Sequence, residues 1–236
     1  MSLLLSYTFL RNWGLTVVVP YQSVLNEKIL FRGQYDEQYD GGKYFREAKG
    51  IGDIFFLVSR SFSFYLPVTL SAGIKLSNGS INAVDIYDKR ISDNLQIGSG
   101  SIDPLLAIYV NQFAGSWVLS GGLYTKISLR ENIYGYQFGN ELNGLLEGNF
   151  VAADDWYGGL QLHYLFTTRD RYEYGKIARD RGGRWLFVAP RFGIHITDEL
   201  DVEAQFHLPV YQNVNESQLT SDYALTLSLA YRWQHE

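Results

Sequence analysis

The side chains in this sequence that could do chemistry begin with its histidines. His163, His195 and His207 each fall in a stretch where polar and apolar residues alternate, and each lies on the polar side. A histidine beside a serine could drive acyl transfer, and several histidines with a carboxylate could hold a metal ion. Neither pattern is complete, because no His-x-x-x-His or His-Glu-x-x-His spacing occurs and no Gly-x-Ser-x-Gly elbow is present. The simpler reading is a histidine hydrogen-bonded in a polar interior. The second group is a set of acids and bases on the same polar faces: Glu141, Glu147, Arg191, Glu203 and Arg232. Charges enclosed by apolar walls must be paired or wet, so these residues predict either a salt-bridged filling or a polar passage.

Two longer segments add surface chemistry. Arg169 to Arg184 is rich in arginine, and Arg169, Arg171 and Arg181 could grip the phosphates of lipopolysaccharide. A solvated loop with internal acid–base pairs would look the same. Segment 22–50 carries Tyr35 and Tyr39 among acidic residues. Folded inward, these tyrosines would make an aromatic plug for an aromatic solute, and left outward they belong to a large surface loop. The acidic spacing there matches no calcium loop, so neither a metal nor a cofactor is expected.

The elements that must position these residues have a period of two. Leu200, Val202, Ala204, Phe206, Leu208 and Val210 alternate with Asp201, Glu203, Gln205, His207, Pro209 and Tyr211. Tyr223 to Trp233, Trp156 to Thr167 and Leu66 to Lys75 repeat the pattern. One apolar and one polar face is what a strand between oil and water requires. The pattern predicts eleven strands, at 2–10, 13–21, 51–62, 64–76, 101–113, 116–129, 134–151, 155–168, 184–196, 199–211 and 221–233. Their length suits a tilted crossing of a bilayer. Short connections alternate with long ones at 22–50, 77–100 and 169–183, as in a barrel with short turns on one rim and long loops on the other. Trp13, Trp117, Trp156 and Trp233 fall beside the short-turn rim, with Tyr21, Tyr136 and Tyr223 toward the other, which reads as two aromatic girdles.

Composition agrees. Of 236 residues, 16% are aromatic and 19% charged, and cysteine is absent, which excludes disulfide scaffolds, thiolate metal sites and cysteine nucleophiles. A net charge of −5 leaves no footprint for nucleic acid. The uncharged stretch from Pro104 to Thr125 is long enough for a spanning helix, but Asn111, Gln112, Gly115, Gly121 and Gly122 argue against one. The expected fold is a single all-β domain over 1–236, a transmembrane antiparallel up-and-down barrel of about twelve strands, with a soluble sandwich as the alternative. Eleven strands is an odd number, so one strand is unaccounted for. It lies upstream of Met1 or within a loop, where Ser80 to Asp88 is the weak candidate.

Several segments resemble a known family, the bacterial outer-membrane barrel transporters associated with the meta-pathway of phenol degradation. They are Leu15-Thr-Val-Val-Val-Pro-Tyr21, Gly50-Ile-Gly-Asp-Ile54, Leu66-Pro-Val-Thr-Leu-Ser-Ala-Gly-Ile-Lys75, Gly98-Ser-Gly-Ser-Ile-Asp103, Tyr136-Gln-Phe-Gly-Asn-Glu-Leu142 and Leu208-Pro-Val-Tyr-Gln-Asn-Val-Asn215. Ser217 to Tyr223 and Ala230-Tyr-Arg-Trp233 fit as well, whereas the family's first strand has no counterpart and Gln234-His235-Glu236 extends past the terminal aromatic. The resemblance implies an outer-membrane barrel and passive passage of a small apolar or aromatic molecule; lipid around the barrel and lipopolysaccharide at the arginine-rich loop are the expected partners. A closed structural or partner-docking barrel is the alternative function. An outer-membrane lipid hydrolase is a third, and it would need a serine hydroxyl within reach of His163, His195 or His207.

Overall fold

The computed structural model describes residues 1–30, 42–63, 65–153, 156–173, 175–197, 199–216 and 220–232. Its strands are β1 (Ser2–Leu10), β2 (Trp13–Leu30), β3 (Gly42–Ile51), β4 (Ile54–Ser63), β5 (Pro67–Leu76), β6 (Asp103–Ala114), β7 (Trp117–Lys126), β8 (Tyr136–Gln137), β9 (Glu141–Ala153), β10 (Trp156–Thr167), β11 (Arg171–Tyr172), β12 (Lys176–Ile177), β13 (Gly183–His195), β14 (Leu200–Val214) and β15 (Ala224–Tyr231). Among the described residues no helix is long and apolar enough to cross a membrane. The uncharged stretch 104–125 is instead the β6–β7 hairpin.

The wall is one antiparallel meander in the order β1, β2, β4, β5, β6, β7, β9, β10, β13, β14, β15, with β3 added to the far half of β2. This is the up-and-down barrel that the alternation predicts. Each strand pairs with its sequence neighbour, so every link closes locally. Since the eleven strands alternate in direction, the two edges, β1 and β15, run the same way. Ser80 to Asp88 contributes only an isolated bridge, Val84 to Arg90, and is no wall strand.

The register sorts the two faces. Phe56, Val58, Leu70, Ile108, Leu123, Leu146 and Leu160 fall on the outer face, and Leu146 is 63% exposed. Lys75, Asp103, Leu105 and Ala189, all buried, face inward. A surface belt of bare leucine and phenylalanine is costly in water and costs nothing in lipid. Ten residues at about 3.3 Å each, tilted by about 40°, rise roughly 25 Å, the height of such a belt. The short-turn rim carries the expected girdle: Trp117 packs on Phe150 at 5.3 Å, Trp156 on Phe192 at 6.0 Å, and Arg60 lies 5.1 Å over Trp13. Trp233 lies outside the described residues.

Four expectations change. Segment 22–50 is not an open loop, because β2 continues to Leu30 and pairs with β3 as a projecting hairpin. The wall strand expected at 134–151 begins at Glu141, and Tyr136 sits in a small outer sheet of β8, β11 and β12 rather than in a girdle. β14 runs to Val214 with a bulge: Phe187 pairs with Pro209 but Leu186 with Tyr211. Proline has no N–H to give the ladder, and the extra residue turns Tyr211 to the outer face, opposite Leu186. Finally, segment 77–102 packs its own small core, where Ile91, Leu95 and Ile97 meet Ala48 of the hairpin.

Leu146→Arg tests which solvent the outer face meets. In lipid vesicles it should lower unfolding stability by about 2–4 kcal/mol, measured by denaturant titration. On a water-facing surface the same change would be near neutral.

Candidate functional site: the inner wall

The inward residues of β9, β10, β13 and β14 come into register as rows: Glu147 beside Gln161, Asn149 beside Gly159, Gly159 beside Arg191, and Arg191 beside Gln205. Arg191 bridges the strands, with one terminal nitrogen on Glu147 and the other on Glu203. The planar guanidinium fork suits two carboxylates on opposite sides. The Tyr157 hydroxyl donates to Glu203 at 2.6 Å, Gln161 to Glu147 at 3.0 Å, and Gln205 to Gln161 at 2.8 Å. Tyr157 can lie there because a Cβ on Gly193 would meet its ring at 2.3 Å. The three charged side chains are only 13–15% exposed, so the pairing offsets a real desolvation cost.

Below this cluster, at the short-turn rim, Asp201 takes both His195 and Arg232. Above it, His163 Nε2 bonds Asn143 Oδ1 at 2.9 Å and its ring stacks on Phe187. His207 lies 3.3 Å from Thr226 Oγ1. Each histidine has its own hydrogen-bond partner, with His195 at the rim and His163 and His207 in neighbouring rows higher on the wall. Nearer the long loops Lys126 pairs with Glu141. Lys75 sits between Asp53 and Asp103, and is almost wholly buried.

That buried lysine belongs to the anchor of segment 77–102. Asp53 accepts the backbone N–H groups of Gly79 at 3.0 Å and Ser99 at 2.9 Å, and the Ser99 hydroxyl at 2.6 Å. Gly79 and Gly98 cross so closely that a Cβ on Gly98 would lie 2.1 Å from the Gly79 carbonyl oxygen. The pinned segment then reaches sideways: Asn132 donates to Asp93 at 3.0 Å, and Arg90 lies 3.8 Å over the Tyr134 ring. Tyr136 donates to Asp170 in turn. Burial first, then that hydrogen bond, hold the Tyr136 phenol well above its ordinary pKa, so it remains a donor. Among the described residues, segments 77–102 and 127–140 and the start of the next loop at Asp170 are thus joined into one collar.

Apart from Lys75 of β5 and Arg232 at the end of β15, both already paired, the described wall positions of the other arc carry no charge. β15 presents Ala224, Thr226, Ser228 and Ala230, and the next strands present hydroxyls: Ser6 pairs with Thr16 and Ser61 with Thr69, each at 2.9 Å. Leu57 and Phe55 interrupt them with apolar surface. The bore is therefore two-sided, charged on β9 to β14 and hydroxyl-lined or apolar on β15 to β5.

All eight expected inner residues face the bore. Glu147, Arg191 and Glu203 converge, as do His195 and Arg232 around Asp201, while Glu141, His163 and His207 stand apart. Two of the three outer arginines meet at one residue: Arg169 donates to Asn215 Oδ1 at 3.3 Å, and the Asn215 amide donates to the Arg181 carbonyl at 2.9 Å, while Arg171 pairs with Ile177 and Gln137 in the small sheet. Tyr35 and Tyr39 lie outside the described residues. Tyr157, Ser99 and Ser101, whose hydroxyl donates to Asp103 at 3.0 Å, were not singled out by the sequence. Tyr157 shares the alternation of Gln161 and His163, a signal that was available, whereas the serines are placed by tertiary contact alone.

No family model matches the chain, and no curated protein matches it. Its fold is similar to that of an outer membrane channel from Pseudomonas putida F1, solved as a crystal structure, with a TM-score of 0.68 at 12% identity. The match covers 98% of this chain and 80% of that one.

Removing the bridging base should expose the balance of the central cluster. Arg191→Met leaves two enclosed carboxylates without a cation and should cost about 3 kcal/mol. Adding Glu147→Gln and Glu203→Gln should regain more than half of that loss, read by comparing the denaturation midpoints of the single, double-glutamine and triple variants.

Proposed function

We propose that the protein is an outer-membrane barrel that passes a small, uncharged, apolar or aromatic molecule by diffusion, without a cofactor and without performing a reaction. The observation that carries this reading is the two-sided bore. A solute with an apolar body and a hydroxyl or ring edge finds both kinds of surface on the arc from β15 to β5. The paired charges opposite keep the passage wet. The outer belt supports lipid as the surrounding solvent, and the loops above it would meet lipopolysaccharide. The fold it shares with an outer membrane channel supports the same reading.

A second reading rests on the collar. Segments 77–102, 127–140 and 169–182 are hydrogen-bonded to one another over the long-loop rim, which favours a closed barrel serving a structural or docking role. A hydrolase finds less support, since His163 and His207 bond Asn143 and Thr226 rather than a serine.

Reconstitution into planar bilayers and liposomes separates the first two. A passage predicts discrete conductance or solute flux, lowered by Ser71→Trp on the inner wall and unchanged by Leu70→Trp on the outer. Silence from protein that is folded, shown by heat-modifiable gel migration, supports the closed barrel.

A further inference from the structure

The charges on the inner wall are paired but not balanced. In the half of the bore nearer the short turns, Arg191 stands between Glu147 and Glu203, and no other base touches either carboxylate in the described structure. The remaining partners of these acids, Tyr157, Gln161 and Asn149, are neutral donors. One positive charge therefore meets two negative ones. The neighbouring pair, Asp201 and Arg232, adds no excess of either sign. At the outer level Lys126 and Glu141 also cancel. The other unbalanced group, Asp53, Lys75 and Asp103, is sealed from the bore with side-chain exposures of 8%, 4% and 0%. It too carries one surplus acid and so opposes nothing at the centre. On the facing arc Lys75 and Arg232 are each taken up by their own acids, which leaves no free base among the described wall residues there to offset the surplus. A low-dielectric wall focuses such a field into the wet passage.

We propose that Glu147 and Glu203 make the bore prefer cations to anions, with Arg191 holding the two carboxylates in place and setting the size of the preference. The inference rests on the reading of the protein as a passage. It adds that charged solutes are sorted by sign as they cross, anionic ones being held back.

The test is the zero-current potential of the reconstituted full chain in a KCl gradient. The natural protein should favour K⁺ over Cl⁻. Glu147→Gln and Glu203→Gln keep the shape and the acceptor oxygens, and each should lower the permeability ratio roughly fivefold, the Boltzmann weight of about 1 kcal/mol for one unit charge at ~4 Å in water. Together they should reverse the preference, because Arg191 is then unopposed. Glu173→Gln, on an outer loop beside Lys176, changes net charge equally and should leave the ratio unaltered. If the double variant does not fold, either single variant reads the same shift. Conductance without cation preference, or a ratio unmoved by both single variants, overturns this inference alone. Absence of any conductance overturns the passage reading and this inference with it.

Discussion

Every other feature rests on one geometric fact: the sheet pairs its backbone groups strand to strand from β1 to β15, while the pleat sends successive side chains to opposite faces, one apolar and one polar. Everything else follows from that geometry. Apolar residues at every second position build the outer belt, polar ones build the bore, and a one-residue slip would exchange them. The bulge at Pro209 in β14 shows the rule operating locally, since one extra residue moves Tyr211 from the bore to the belt.

Within the bore the same constraint makes charge expensive. Lys75 and Arg191, each enclosed, are both held between two acids. The two clusters do different work because of where they sit. Lys75 lies under segment 77–102 and ties that segment to the wall through Asp53 and Ser99. Arg191 faces the hydroxyl-lined arc and ties β9, β10, β13 and β14 together while its carboxylates stay on the inner face. A similar chemical motif thus serves as an anchor at one level and as an electrostatic surface at another.

Much of the wall was legible because its alternation is produced by the solvent pattern itself. Strands such as Trp156–Thr167 and Ser2–Leu10 are read correctly to within a residue. The β2–β3 extension was not, because beyond Tyr21 neither face is uniformly apolar. Leu25 and Ile29 share their face with Glu27, Lys43 and Lys49, so the apolar and polar sets mix. Tyr136 was misplaced for a related reason: an aromatic at a rim and an aromatic buried in a loop look alike in sequence. The inner residues were legible as a face but not as a site. Register brings Arg191 to Glu147 across β10, and only the fold decides that His163 finds Asn143 while His195 finds Asp201.

The central claim is that one face of each strand is wet and the other lies in lipid, and the absence of cysteine makes a direct test clean. Single cysteines placed in turn from Asn143 to Gly148 of β9, in protein reconstituted into vesicles, would be challenged with a membrane-impermeant thiol reagent. Labelling is expected at Asn143, Leu145 and Glu147, and protection at Gly144, Leu146 and Gly148. Uniform labelling, or labelling on the opposite set, would contradict it.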